Sequence, residues 1–598
     1  MSRAGSVLRI ANCSGFYGDR LSAPREMVEG GPIDVLTGDY LAELTLAILY
    51  RDRQKDPGLG YARTFLLQLR QIAEPCLERG IKIVVNAGGL NPKACAEACR
   101  GVYGQLGLRA RVAHIEGDDL LPRLAELQRD GEPFEHLDRG AELSRLEVPI
   151  LSANAYLGGW GIAEALGRGA DLVICPRVTD ASLVVGPAAW FHGWARDDWD
   201  RLSGAVAAGH ILECGAQATG GNYSYFERFD HGKPLGFPIA EVEADGSFTI
   251  TKHPGTGGEV SVGTVTAQLL YEIDAPRYAN PDVIADFASL DLRQDGRDRV
   301  RVTGARGGPP PSRTKVCLNY AGGFKNRVTF LLGGLDIDAK ARWAEASLWQ
   351  SLGGRESFDD THCVLDRADG SRSGWQDGLS RLTVSVKDRD PKKVGRRFSS
   401  AAVELALASY PGFNLTAPPG REQPFAIYWP ASVARSRVSQ ELWLDGERVW
   451  TEPEAFHESS AEQATAPSTD SAEGSTFDGG PTERVPLGRI CGARSGDKGG
   501  NANVGIWVES DEAYGWLRSF LTPERLRSLL PEADGLKIDR YELPNLRALN
   551  FVLTGLLGDG VAASLAVDAQ AKGLGEAIRA VAVEIPTSLL TETQRSVQ

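Results

Sequence analysis

Methionine is nearly absent from this 598-residue chain, with two, and cysteine and histidine are scarce, with nine and eight. The nine cysteines (Cys13, Cys76, Cys95, Cys99, Cys175, Cys214, Cys317, Cys363, Cys491) are odd in number and scattered, which argues against a disulfide framework and for reduced intracellular thiols. No CxxC or HxxxH spacing occurs. Cys95 and Cys99 share one predicted helix face, where packing is the expected role; no metal site is expected, because zinc wants four converging ligands. No apolar run approaches the roughly 18 residues of a membrane span, and the opening MSRAGSVLRIANCSGFYGDR lacks the apolar core of a signal peptide. A cytoplasmic protein that engages no membrane is therefore expected. Also missing are GxGxxG, GxxxxGK[ST] and GxSxG. Gly15-Phe-Tyr-Gly18 is too sparse for the first, so dinucleotide binding, P-loop chemistry and a serine-hydrolase elbow are all disfavoured.

Positive charge is in deficit, with 65 Lys+Arg against 79 Asp+Glu and a formal charge of −14. Such a balance argues against nucleic acid as a partner, since phosphate recognition needs clustered basic charge. The deficit is local. Residues 451–483 hold eight acids and no Lys or Arg, which leaves −6 for the other 565 residues. An anionic small molecule is compatible with a surface that close to neutral.

Short Val/Ile-rich runs recur at 7–11, 33–36, 81–85, 111–115, 149–152 and 171–175, with amphipathic helical stretches such as 40–50 and 64–79 between them. Alternating β and α units with near-continuous apolar strands predict an α/β fold with a Rossmann-like parallel sheet covered by helices on both faces, over residues 1–203. Residues 204–450 read as a second, mixed α/β region, with strands over 247–252, 261–269, 300–304 and 327–332 and helices over 339–352 and 395–410. The acidic Ser/Thr/Glu/Ala-rich segment 451–483 reads as a disordered linker. Residues 484–598 then give an α+β unit, for which a ferredoxin-like β-α-β-β-α-β order is the natural expectation.

In an open parallel sheet, ligands bind beyond the carboxyl ends of the strands. Those ends carry Asn12, Ser14, Gly15 and Arg20 after the first strand, Asp39 after the second, and Asn86, Gly88 and Gly89 after the third. Asn154 follows the fifth, and Arg177 and Asp180 the sixth. Amides orient carbonyls or hydroxyls, arginines clamp anions, and Asp39, Asp180 and Asp19 can move protons, although Asp39 and Asp180 read equally well as helix caps. A second Gly-rich stretch, His210 to Asn222, offers Thr219, Gly220, Gly221 and Asn222 as ligand contacts. Its Cys214 is a nucleophile only if a base such as His210 reaches it, and a small buried residue is the simpler reading. The densest polar run, Cys491 to Asn503, presents Arg494, Ser495, Asp497, Lys498 and Asn501 to a phosphate or carboxylate, with Asp497 a third candidate acid or base.

These same segments carry a resemblance. Ile10-Ala-Asn-Cys-Ser-Gly-Phe-Tyr-Gly-Asp-Arg20, Leu36-Thr-Gly-Asp-Tyr-Leu-Ala-Glu-Leu44, Asn86-Ala-Gly-Gly-Leu-Asn-Pro92 and Gly215-Ala-Gln-Ala-Thr-Gly-Gly-Asn222 resemble the acyclic terpene utilisation family AtuA. Ala493-Arg-Ser-Gly-Asp-Lys-Gly-Gly-Asn-Ala-Asn503 resembles that family's ferredoxin-like carboxy-terminal domain. The resemblance implies a place in the breakdown of citronellol- and geraniol-type compounds, whose intermediates are branched acyl-CoA thioesters, and it brings no catalytic assignment. Two functions are expected from it. One is an acyl-CoA lyase or hydratase with no tightly bound cofactor, coenzyme A entering as part of the substrate. The other is a non-catalytic ligand-binding or scaffold subunit. A homo-oligomer is the expected state.

Overall fold

The computed structural model describes residues 6–368, 376–453 and 480–591. Residues 454–479, most of the segment read above as a linker, lie outside the described residues. Packing divides the chain into two compact units. The first comprises Met1–Asn319, Tyr428–Leu557 and Gln570–Gln598, and the second Tyr320–Ile427 with Gly558–Ala569.

The first unit is built on five parallel strands, β1 (Leu8–Asn12), β2 (Val35–Gly38), β3 (Lys82–Val85), β4 (Val112–Glu116) and β6 (Leu172–Ile174). They lie in the order β1, β2, β3, β6, β4 and are buried along almost their whole length, as strands covered on both faces must be. The expected parallel sheet needs correction, because this core is the centre of a mixed eleven-stranded sheet. Antiparallel strands Pro238–Val242, Phe248–Lys252, Arg299–Thr303 and Asp291–Gln294 extend it beyond β1, and Glu441–Leu444 and Glu447–Thr451 extend it beyond β4. Six of its ten pairings are antiparallel. β5 (Ile150–Ala155), expected in the parallel set, leaves it to pair with the long strand Arg313–Leu332.

Helix Thr64–Arg79 shows why the α/β alternation was readable. Phe65, Leu69, Ile72, Ala73 and Cys76 recur at helical spacing and are buried, and Gly80 ends the helix at φ 70°, a conformation glycine adopts without strain. Each large side chain so buried contributes roughly 1.5–3 kcal/mol before entropy. In the following helix, Pro92–Gln105, Cys95 and Cys99 face the same core. By contrast, residues 261–269, expected as a strand, form helix Val262–Leu269. Ser261 caps it by accepting the Thr264 N–H, a local bond that outweighs the β-branched composition.

The described part of residues 484–598 packs its own apolar core within the first unit. Its sheet is antiparallel in the order Cys491–Lys498, Asn501–Val508, Ala548–Leu553, Ile538–Leu543, and a separate pair joins Thr482–Pro486 to Ala582–Pro586. Two short helices, Asp511–Phe520 and Pro523–Leu529, follow strand Asn501–Val508 in the chain. The break falls where Thr522 caps a new helix that starts at Pro523. In the second unit, helices Ile337–Leu352 and Phe398–Glu404 cover a sheet that includes Ser380–Asp388 and Asp360–Asp366, around Phe330, Leu348, Val384 and Phe398. Among the described residues no helix is long and apolar enough to cross a membrane.

Candidate functional site

Parallel strands end on one edge, so the residues after β1, β2, β3 and β6 are brought together there. Asp39 is buried. Its carboxylate accepts the Asn86 amide at 2.6 Å and the Leu41 N–H at 2.9 Å. Burial and then the negative charge of Asp180 push its pKa well above the carboxylate range, against the lowering influence of Arg177, Asn86 and Leu41. Arg177, among the largest fully buried side chains, donates to the carbonyls of Leu41 and Val178, each at 2.8 Å, and pairs with Asp180. Its guanidinium lies 4.6 Å from the Tyr156 ring centre. Burial works against its charge, but Asp180, Tyr156 and Asp39 outweigh this and hold its pKa above the ordinary guanidinium value. Lys315 sits 5.2 Å from the same tyrosine ring and 5.6 Å from that of Tyr428.

Behind Arg177, its backbone N–H and the Asn154 amide donate to Asp118 at 3.2 and 2.8 Å. Burial pushes the Asp118 carboxyl up to about 7, and the Asn154 bond lowers it in part. Asn12, Ser14 and Gly15 form a turn closed on itself. Asn12 accepts the Ser14 N–H, Ser14 donates to the Phe16 carbonyl, and Gly15 donates to Asp19. Arg20 is engaged by Glu26 and the Leu235 carbonyl and lies 5.1 Å from the Phe237 ring centre. Gly88 packs so closely on the Cys175 carbonyl that a Cβ would meet it at 2.6 Å, and Gly89 packs on Leu49.

A second set of groups comes from the last turn of helix Trp199–Leu212 and from the segment after helix Val262–Leu269. His210 and Glu213 are buried there with Nδ1 3.0 Å from Oε1. Burial, then Asp180 and Glu272, raise Glu213 well above its usual range. The Cys214 thiol is likewise raised by burial, Glu213 and Glu272, so it is no thiolate nucleophile at neutral pH. Burial and then Glu272 raise the Tyr271 phenol, and burial and then Glu213 raise that of Tyr278. Thr219 donates to the carbonyls of Ala216 and Gly236, Gly220 packs on the Phe229 ring, Gly221 donates to the Ala216 carbonyl, and Asn222 is an exposed residue at φ 56°.

The run from Cys491 to Asn503, read above as a ligand loop, is two strands joined at Gly499-Gly500. Glycine at 496 and 505 lets the hairpin lie against the second set. A Cβ on Gly496 would stand 2.4 Å from the Tyr271 ring, and one on Gly505 2.5 Å from Leu270 Cβ. Arg494 is thereby buried against the Gln217 amide and 4.1 Å from the Tyr271 ring centre. Burial lowers its pKa, against the raising influence of Tyr271, Cys214 and Glu272. Lys498 donates to the Glu272 carbonyl at 2.7 Å and lies 4.0 Å from the Asp274 carboxylate. Lys572 contacts the Tyr271 hydroxyl and lies 3.7 Å from Glu272 and 3.8 Å from Asp497. Ser495 and Asn501 hold the domain's own framework and a neighbouring loop. Ser495 donates to the Ala571 carbonyl, while Asn501 donates to Asp138 and accepts the Gly555 N–H.

The structure thus joins Asp39, Asn86, Arg177, Asp180, Arg494, Asp497 and Lys498 through Glu213, His210, Tyr271, Glu272, Tyr278 and Lys572. Of these connecting residues, His210 and Glu213 lie in the Gly-rich stretch singled out from sequence, Glu213 as a reactive side chain and His210 as a base for Cys214. Glu272 has a local signature only in three dimensions: it sits at φ 57°, rare for a glutamate, with its N–H held by Asn503 at 2.8 Å. Asn503 bonds Asn550, which donates to the carbonyls of Ile273 and Asp274. The floor of the site is buried, whereas the side chains of Asp180, Glu272, Lys498 and Lys572 remain 31, 35, 25 and 34 % exposed, which leaves the cluster reachable from solvent. Among the described residues no group of three or more His, Cys, Asp or Glu could hold a metal ion.

Comparison with curated proteins returns no match. Two family models do match, the acyclic terpene utilisation family protein AtuA over residues 8–444 and the AtuA ferredoxin-like domain over residues 485–584. The site draws on both matched regions, with Arg177, Glu213 and Glu272 from the first and Arg494, Lys498 and Lys572 from the second. A match over most of its length, completed by the second domain, places the chain in the AtuA family of acyclic terpene utilisation.

Proposed function

We propose that this protein is an enzyme acting on the coenzyme A thioester of a branched, acyclic acyl group, by a lyase- or hydratase-type reaction. The single observation behind this reading is the meeting of proton-holding carboxyls with fixed cations in one solvent-reachable cluster. Burial and the charge of Asp180 raise the Asp39 carboxyl well above the usual carboxylate range beside an Arg177–Asp180 ion pair. A thioester carbonyl that gains negative charge as a neighbouring C–H or C–O bond breaks is stabilised by donors already in place, with no reorganisation during the step. Asp39 is the donor to that oxygen, Asp180 moves the proton, and Lys498, Lys572 and Arg494 meet the anionic parts of the ligand, with Asp497 setting the position of Lys572. Coenzyme A enters as part of the substrate, and the reading needs no resident cofactor, nucleic acid or membrane. A homo-oligomer in the cytoplasm completes it.

The test is to incubate the purified full chain with a panel of straight and branched acyl-CoAs and to identify products by mass spectrometry. Turnover of a branched member is expected. Tight binding of one member with no conversion of any would replace the enzyme by a ligand-binding subunit, and neither binding nor turnover would remove the thioester.

A further inference from the structure

The end of helix Trp199–Leu212 carries a polar pair that the chemistry above leaves unused. His210 and Glu213 are 1 and 8 % exposed, with Nδ1 of the ring 3.0 Å from Oε1 of the carboxyl. Neither ring nitrogen and not Glu213 Oε2 meets a partner in hydrogen-bond geometry, although the carbonyl of Tyr271 is the backbone acceptor beside the ring. The rings of Tyr278 and Phe287 pack on the imidazole at 5.2 and 5.4 Å. Charged groups act on the pair from each adjoining element: Arg177 and Asp180 from the end of β6, Glu272 from beyond helix Val262–Leu269, and Lys498 from the carboxy-terminal hairpin. A buried carboxyl oxygen without a partner is costly, and a leucine in its place would pack without that cost. Oε2 is therefore the atom to which an outside group is owed.

Counting protons fixes the state of the pair. A neutral imidazole carries one N–H; with Nδ1 set against Glu213 Oε1, Nε2 is the nitrogen left for the Tyr271 carbonyl, which can only accept, so that proton belongs on Nε2. Nδ1 is then a lone pair, and its approach to Oε1 is favourable only if the Glu213 proton lies between them. Burial agrees with this, raising Glu213 and pushing His210 down to about 4. We propose that Glu213 and His210 form a proton relay for a substrate seated against Glu213 Oε2, and that it removes the proton alpha to a thioester carbonyl. As the substrate C–H bond breaks, its electron pair stays on the substrate as an enolate and its proton bonds to Oε2. In the same movement the Oε1–H bond breaks and its proton bonds to Nδ1. The resulting imidazolium faces the Tyr271 carbonyl, Asp180 and Glu272; the enolate oxygen keeps the Asp39 donor, and Asp180 moves the proton of the C–O step. The reverse sequence returns the proton. Glu213 is the catalytic residue and His210 acts through it.

This inference rests on the thioester reading, and the test separates the two. In the full chain labelled with 15N-histidine and assigned with His210→Gln, His210 is expected at pH 7 as the neutral Nε2–H tautomer. An imidazolium or an Nδ1–H tautomer overturns the relay whatever the substrate is. In D2O with 3-methylbutanoyl-CoA and citronellyl-CoA, the wild-type chain is expected to incorporate deuterium alpha to the carbonyl, and Glu213→Gln to do so roughly 100-fold more slowly with unchanged thioester binding. Exchange by Glu213→Gln within about threefold of wild type overturns the relay. Should that variant not fold, Glu213→Asp is the substitute, with about a tenfold loss expected and an undiminished rate overturning the relay. No exchange by the wild-type chain with a thioester that binds overturns the relay, whereas neither binding nor exchange with either thioester overturns the thioester reading.

Discussion

Replacing Arg177 by methionine is the sharpest perturbation of the strand-end site. Methionine keeps much of the side chain's volume and its contact with Tyr156 but removes every donor. The carbonyls of Leu41 and Val178, each bonded at 2.8 Å in a place where Arg177 is 1 % exposed, lose their partner with no water to replace it. Each orphaned carbonyl costs about 1–3 kcal/mol. The ion pair adds less, because the Asp180 side chain is 31 % exposed and water screens it, so its loss is worth about 1 kcal/mol. The expected destabilisation of the first unit is about 4 kcal/mol, read from the midpoint and slope of urea unfolding followed by tryptophan fluorescence. Arg177→Lys is expected to recover less than half of this, since an ammonium cannot reach three acceptors held around a planar fork. The double variant R177M/D180N is expected to be no worse than R177M, because it removes the carboxylate left behind. A loss below about 1 kcal/mol for R177M would refute the argument, because it would mean that the two carbonyls find other donors.

Two further outcomes follow from the same geometry. Asp118 has its carboxyl pKa raised from 3.8 to about 7 in the folded chain, so the folded state holds this proton more tightly than the unfolded one. Stability is therefore lost as pH rises from about 4 to about 7, by on the order of 4 kcal/mol at most. Asp118→Asn should flatten the urea midpoint against pH across that window, and an unchanged slope would show that Asp118 is not its source. Gly496→Val places side-chain carbon where the Tyr271 ring stands, an overpacking worth about 1–3 kcal/mol. Faster amide hydrogen exchange is expected over residues 269–274, with thioester turnover reduced. Unaltered exchange there would mean that the hairpin does not depend on this contact.

Much of the fold was legible because its signals are local. The Thr64–Arg79 helix stands where its apolar spacing and terminal glycine put it, and the ends of β2, β3 and β6 bring Asp39, Asn86 and Arg177 to one edge, as parallel strands require. What was not legible depends on distant partners. Nothing local to β4 announces that Glu441–Leu444 will pair with it, so the sheet read as purely parallel. Residues 491–503 read as a loop because glycine is unfavourable in strands, yet here glycine is what lets a strand approach Tyr271 and Leu270. Glu272 and Lys572 belong to the site only because the carboxy-terminal sheet folds against the segment after Leu269, a meeting of residues some three hundred positions apart that leaves no periodicity to find.

The pairing of β4 with Glu441–Leu444 also sets a timetable for synthesis. Val112–Glu116 leaves the ribosome more than three hundred residues before the strand that covers its outer edge. At about 5–20 residues per second, that edge waits on the order of 20–60 s with its backbone N–H and C=O groups unpaired, next to the completed neighbour β6. During that interval the nascent chain offers a ready-made template for another strand. The interval in which a chaperone matters most for this protein therefore opens at about residue 175 and closes only when residue 444 has emerged.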